Sequence, residues 1–227
     1  MVDYTKRPQQ STPPVGAPAA GAVSLSKVTL TKSAPSVSLS KGNGASGRLK
    51  VNLSWNARPQ AASGGGGFLK RLAGGNRGID LDLGALFELT DGTKGVVQAL
   101  GNAFGSLDRP PYVLLDGDDR SGGGGENLTV NLDQLPAIRR VLVFAFIYDG
   151  VPAWDQADGV VTLTPVGAPP IEVRLDESSS SRMCALALLE NAGGTLSVRR
   201  EVRYIDGAQD ALDRAYDWGM DWTPGRK

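Results

Sequence analysis

The sequence predicts a mainly β protein, a two-sheet β-sandwich with a C-terminal amphipathic helix. Three observations carry that expectation. Apolar and polar residues alternate in run after run from Ser24 onward, Gly, Pro, Asn and Asp separate the runs, and near the carboxy terminus the apolar spacing lengthens from two residues to three and four. Many short period-two runs divided by turn signals are the pattern of a sandwich.

Taken in order, residues 1–23 hold Pro8, Pro13, Pro14 and Pro18 among Gln, Ser, Ala and Gly, and read as a disordered Pro-rich leader with little to bury. The sandwich domain is expected over 24–222. Leu25, Val28 and Leu30, then Val37 and Leu39, open it. The clearest strand is Leu49, Val51, Leu53 and Trp55, alternating with Lys50, Asn52 and Ser54. Residues 56–78, "NARPQAASGGGGFLKRLAGGNRG", are too glycine-rich for a regular element and too long for a tight hairpin, so they read as an insertion. In "GIDLDLGALFEL" Ile79, Leu81, Leu83 and Ala85 face one way, and Asp80, Asp82 and Gly84 the other. Further strands are expected near 112–115, 128–132, 141–148, 160–164, 171–175, 183–190 and 196–204. "VLVFAFIY" is apolar at every position, as a strand covered on both faces would be. In "DGAQDALDRAYDWG" the residues Ala208, Ala211, Leu212, Ala215 and Tyr216 take helical spacing, with Asp206 placed to cap the start and Gly219 the end. Residues 223–227 form a tail.

Composition narrows the function. The 227 residues are 41% hydrophobic, enough to bury a core, and 24 Lys and Arg balance 24 Asp and Glu. No bulk charge points to nucleic acid or to an acidic membrane. The chain holds no histidine, which removes Ser-His-Asp and Cys-His catalysis and the usual zinc sites. Its one cysteine, Cys184, lies in an apolar run and reads as a buried, inert thiol. No apolar stretch reaches the roughly 18 residues of a membrane span, and Met1 to Gln10 lack the pattern of an export signal, so the expected location is cytoplasmic.

The chemistry that remains is acidic. Residues i and i+2 of a strand share a face roughly 7 Å apart, so Asp80 and Asp82 present two carboxylates side by side. "LLDGDDRSGGGGENLTV", between two strand-like runs, adds Asp116, Asp118, Asp119 and Glu126. Six such carboxylates gathered at one end of a sandwich suit Ca2+, which takes six to eight oxygen ligands. The loop is not an EF-hand: counted from Asp116, the fifth position is Arg120 and the twelfth is Asn127. The alternative reading, solvated loop acids, stands beside the metal site.

The blocks "SLSKVTLTK", "LKVNLSW", "DLDLGALFEL", "LLDGDDRSGGGGENLTVNLDQLPAIRRVLVFAFIYDG" and "VRYIDGAQDALDRAYDWG", in this order from Ser24 to Gly219, resemble the TerD-like tellurium-resistance family. The insertion and the leader are closest to its TerA-like members. The resemblance implies a bacterial, cytoplasmic, calcium-binding β-sandwich without enzymatic activity, serving the response to tellurite and other stress. It implies assembly with other tellurium-resistance proteins, a membrane-associated complex being one form of it. The family's acidic strand motif falls on Asp80 and Asp82, and its metal loop on Asp116, Asp118, Asp119 and Glu126. One departure stands out: the family loop carries acids among its glycines, usually enough for two ions, whereas Ser121 is followed here by Gly122, Gly123, Gly124 and Gly125. A metal-free scaffold or interaction subunit of the same fold is the alternative. A hydrolase using paired aspartates, and an exported lectin-like sandwich, are the weaker readings.

The remaining candidates have plain structural readings. "YDGVPAWDQADG" reads as a hairpin loop with a half-buried Trp154 among Asp149, Asp155 and Asp158, with a second acidic rim or a small-ligand pocket walled by the indole as the other reading. Arg139, Arg140, Arg199, Arg200 and Arg203 read as solvated sheet surface, with binding of phosphate or lipid headgroups as the other reading, and Trp218 and Trp222 as anchors for the last helix, with a partner-binding patch as the other.

Overall fold

The computed structural model describes residues 26–55, 80–116, 125–149 and 154–222. The leader, the 56–78 insertion, the 223–227 tail, Asp118 and Asp119 lie outside the described residues. Thirteen strands form two sheets among the described residues. The first runs in spatial order β1 (Val28–Leu30), β11 (Ile171–Leu175), β10 (Gly159–Thr164), β3 (Arg48–Ser54), β8 (Gly125–Asn131), β7 (Val113–Leu115) and β6 (Gly105–Ser106). The second runs β2 (Ser36–Leu39), β13 (Thr195–Ile205), β12 (Met183–Ala192), β9 (Ile138–Asp149), β4 (Asp80–Leu89) and β5 (Lys94–Val97). The pairing of β1 with β11 is parallel and the other strand pairings are antiparallel.

The sheets meet through the period-two faces. Leu49, Val51 and Leu53 of β3 are wholly buried, as are Leu128 of β8 and Val161 and Leu163 of β10, and they face Leu81, Leu83, Ala85, Val143, Ala145 and Ile147 of the second sheet. Each aliphatic side chain withdrawn from water in this way contributes about 1.5–3 kcal/mol. Strand β9 is apolar at consecutive positions because its other face is covered too. Leu142 and Phe144 join Leu86, Met183, Ala185 and Leu188 in a second cluster, closed by Leu212 of helix α2 (Gln209–Ala215) and by Trp218.

Three local details differ from the sequence expectation. Asp206 does not cap α2: its Oδ1 accepts from Ser181 Oγ at 2.6 Å, and the helix opens at Ala208 with no side-chain cap. The turn after the helix is held instead by buried Asp213, whose two oxygens accept from the backbone N–H groups of Gly219 and Met220, each at 3.0 Å. Trp154 is not half-buried in a hairpin; it is wholly buried at the start of the short helix α1 (Trp154–Ala157), and its Nε1 donates to Ser181 O at 2.7 Å.

No helix of the described residues is long and apolar enough to cross a membrane. The "Leu-Pro" preceding β9, Leu135 and Pro136, falls in a 3-10 segment, Leu132–Ala137, where Leu132 and Leu135 are buried.

Candidate functional site: the acidic end of the sandwich

Strand β5 stops with Val97 opposite Ala85, so ahead of Ala85 the strand β4 is laddered to β9 on one side only. A backbone N–H on an unpaired strand edge needs an acceptor. Glu126 supplies one: it lies at the start of β8 in the other sheet, and its Oε2 accepts from the N–H of Leu83. Glu126 shares the inward parity of Leu128 and Val130, which is why its carboxylate reaches across the sandwich.

That bond sets the start of β8 beside the acidic stretch of β4. Asp82, opposite Phe146 on β9, is partly buried, and Asp80, opposite Asp149, is exposed. By alternation both share the face of Gly84 and Leu86, away from the main core. Asp116 follows directly on β7, exposed, with its backbone N–H donating to Asn127 O at 2.9 Å. The starts of β4 and β8 and the end of β7 therefore bring Asp82, Glu126 and Asp116 to one end of the molecule. Asp118 and Asp119, from the segment that joins β7 to β8, lie outside the described residues.

The donors at this end are carboxylate oxygens, the donor type that hard divalent cations favour. Among the described residues no group of three or more His, Cys, Asp or Glu side chains is close enough to hold a metal ion. Glu126 already commits one oxygen to Leu83.

A second charged cluster corrects the reading of Arg140 as solvated sheet surface: its side chain is 20% exposed and paired to a buried glutamate. Glu88 of β4 is buried, 2% exposed, and accepts from Arg139 Nη1 at 2.8 Å and Arg140 Nε at 2.6 Å, with Lys94 Nζ at 3.9 Å. Arg140 also donates to the carbonyls of Tyr216 and Asp217, and Lys94 Nζ to that of Trp218. These basic groups hold the carboxy-terminal segment on the sheet. The only signal in sequence was a glutamate inside the apolar run "ALFEL".

Two sheets of this strand order, closed at one face by a carboxy-terminal helix, define a β-sandwich of the TerD-like class. A crystal structure of a homologue of telluride resistance protein TerD from Streptomyces coelicolor A3(2) superposes with a TM-score of 0.51, covering 77% of this chain and 99% of that one at 20% identity, which speaks for the fold. No family model matches the chain. In sequence the chain is 48% identical over 229 residues to the tellurium resistance protein TerA of an Alcaligenes species, across 100% of this chain and 66% of that protein. It is 30% identical over 182 residues to the stress response protein SCP2 of Bacillus subtilis (strain 168), across 76% of this chain and 83% of that protein. The chain belongs to the tellurium-resistance family of TerA- and TerD-like proteins. It spans 66% of the length of its TerA relative.

Proposed function

We propose that the chain is a non-enzymatic, cytoplasmic stress-response module of the tellurium-resistance type that binds Ca2+ at its acidic end and acts by assembling with partner proteins. The observation that supports this reading is the Glu126 to Leu83 bond, which sets the start of β8 against the Asp80 and Asp82 stretch of β4. Asp80, Asp82, Asp116 and Glu126 would hold the ion, with Asp118 and Asp119 from the same connection. The cation would neutralise carboxylates that otherwise repel one another, and would stiffen that end of the sandwich for presentation to other tellurium-resistance proteins, in a membrane-associated complex or free of one.

The same bond also favours a second reading. Glu126 ties the two sheets without an ion, as a metal-free scaffold or interaction subunit would require.

Thermal melting separates the two. The protein is melted in excess chelator and then across a calcium series, with magnesium as control. A bound ion at a hundredfold excess over its dissociation constant stabilises by about 2.7 kcal/mol. A calcium-specific rise in Tm that vanishes in Asp82→Asn and Asp116→Asn supports the metal site. An unchanged Tm up to millimolar calcium overturns it in favour of the scaffold.

A further inference from the structure

The sandwich has a further charged region, which shares no residue with the acidic end or with the Glu88 cluster. Where β1 gives way to β2 the chain crosses from the first sheet to the second, and beside this crossover lies a half-open cavity of about 300 Å3. Lys32, Arg174 and Arg200 line it, together with Thr29, Thr31 and Glu177.

The charges here are out of balance. Glu177 is shared by two cations, accepting from Lys32 Nζ at 3.0 Å and Arg200 Nη2 at 2.9 Å. Next to it Glu172 is shared by Lys27 at 2.6 Å and Arg174 at 3.1 Å. Among the residues that line the cavity three cations, Lys32, Arg174 and Arg200, stand against two carboxylates, Asp176 and Glu177. The excess is of most consequence at Arg200, whose side chain is only 9% exposed. A guanidinium carries five N–H donors. Nη2 donates to Glu177, and Arg200 borders the cavity.

We propose that this cavity binds a small, multiply charged oxyanion of the phosphate or sulfate class. Arg200 offers a planar fork for two of its oxygens, Lys32 a mobile ammonium for a third, and the Thr29 hydroxyl a neutral donor at the rim. Glu177 is the resident competitor. It sits just past β11, its side chain is 32% exposed, and it must swing out of the cleft for the anion to take its place between Lys32 and Arg200. A cavity of this size exceeds what one tetrahedral anion fills, so the oxyanion enters with water or carried on a small organic group.

The test is calorimetric titration of the full chain with inorganic phosphate and with sulfate at constant ionic strength, chloride serving as control. Lys32→Ala alters a side chain that is 73% exposed and leaves the fold intact. It is expected to weaken binding about tenfold, the loss of one charge-assisted hydrogen bond. Glu177→Gln removes the competitor and is expected to tighten binding about tenfold, a gain that a damaged fold does not produce. No saturable binding of either anion to the native chain overturns the proposal. So does binding that Lys32→Ala leaves unchanged. Binding by Glu177→Gln alone overturns it too, because the native cleft is then closed by its own carboxylate.

Discussion

Arg140 lies over the indole of Trp218, its guanidinium carbon 3.9 Å from the ring centroid, while its Nε donates to Glu88. Strand β9 is thereby joined to the carboxy-terminal segment through a cation held between an aromatic face and a buried carboxylate. Trp218 itself is wholly buried, and its Nε1 donates to Phe87 O at 3.1 Å.

Removing the carboxylate should undo this joint. Breaking a buried pair by deleting one partner costs about 3–5 kcal/mol, and Glu88→Ala is expected near the lower end because Arg139, one of its partners, is 66% exposed. Urea unfolding followed by tryptophan fluorescence reads both the loss and the exposure of Trp218. Glu88→Gln, which keeps an acceptor, should lose less. Equal stability of Glu88→Ala and the native chain would show that the cluster holds nothing in place.

Gly84 lies under the ring of Phe144, and a Cβ built on it would stand 2.5 Å from Phe144 Cζ. Phe144 is itself buried, in the cluster with Leu86, Leu142 and Met183. Gly84→Ala should therefore destabilise by about 1–3 kcal/mol, the usual cost of overpacking. The paired change Gly84→Ala with Phe144→Leu should recover part of that loss in the same urea midpoint.

Burial pushes the Cys184 thiol up, well above the ordinary cysteine range. A thiol that is neither ionised nor exposed does not react. One thiol per chain should titrate with a disulfide reagent in strong denaturant and none in buffer over the same minutes. Rapid labelling of the folded protein would contradict the packing of β12.

Glu172 and Glu177 are both held below the usual carboxylate range, Glu172 first by its hydrogen bond from Lys27 and Glu177 first by that from Lys32, with Arg200 next. A carboxylate whose pKa is lower in the folded chain adds stability at neutral pH, and this is lost as pH falls through the folded-state value. The urea midpoint should thus decline from about pH 5 toward about pH 3, and the decline should be shallower in the Glu172→Gln, Glu177→Gln double variant. Parallel slopes in the two proteins would refute the assignment.

Much of this architecture was legible in the residues. The alternation of Leu49, Val51 and Leu53 fixed β3 and its buried face, and "VLVFAFIY" announced a strand covered on both sides. β5 was missed because "KGVV" is short and contains Gly95, a residue that weakens a strand reading; its place is set by the ring of Phe87, which a Cβ there would meet at 2.6 Å. The cap at α2 was misjudged because Asp206 is a capping residue by type, and only the fold shows that Ser181 claims its carboxylate and that the helix opens later, at Ala208. At the acidic end, spacing along the chain paired Asp80 with Asp82. It carried no information on Glu126 and Leu83, whose meeting depends on where β5 ends.

The two sheets are covered unequally, and this should leave a mark on which substitutions the protein tolerates. In β12 every residue from Met183 to Leu189 is buried, whereas in β3 burial alternates residue by residue. A saturation library scored for folded protein should show a two-residue rhythm along β3, with Lys50 freely replaceable and Leu49 and Val51 not. Along β12 there should be no rhythm at all. The helix-covered sheet is the conservative half of the molecule, and the outer face of the other is where new surface chemistry can be acquired without cost to folding.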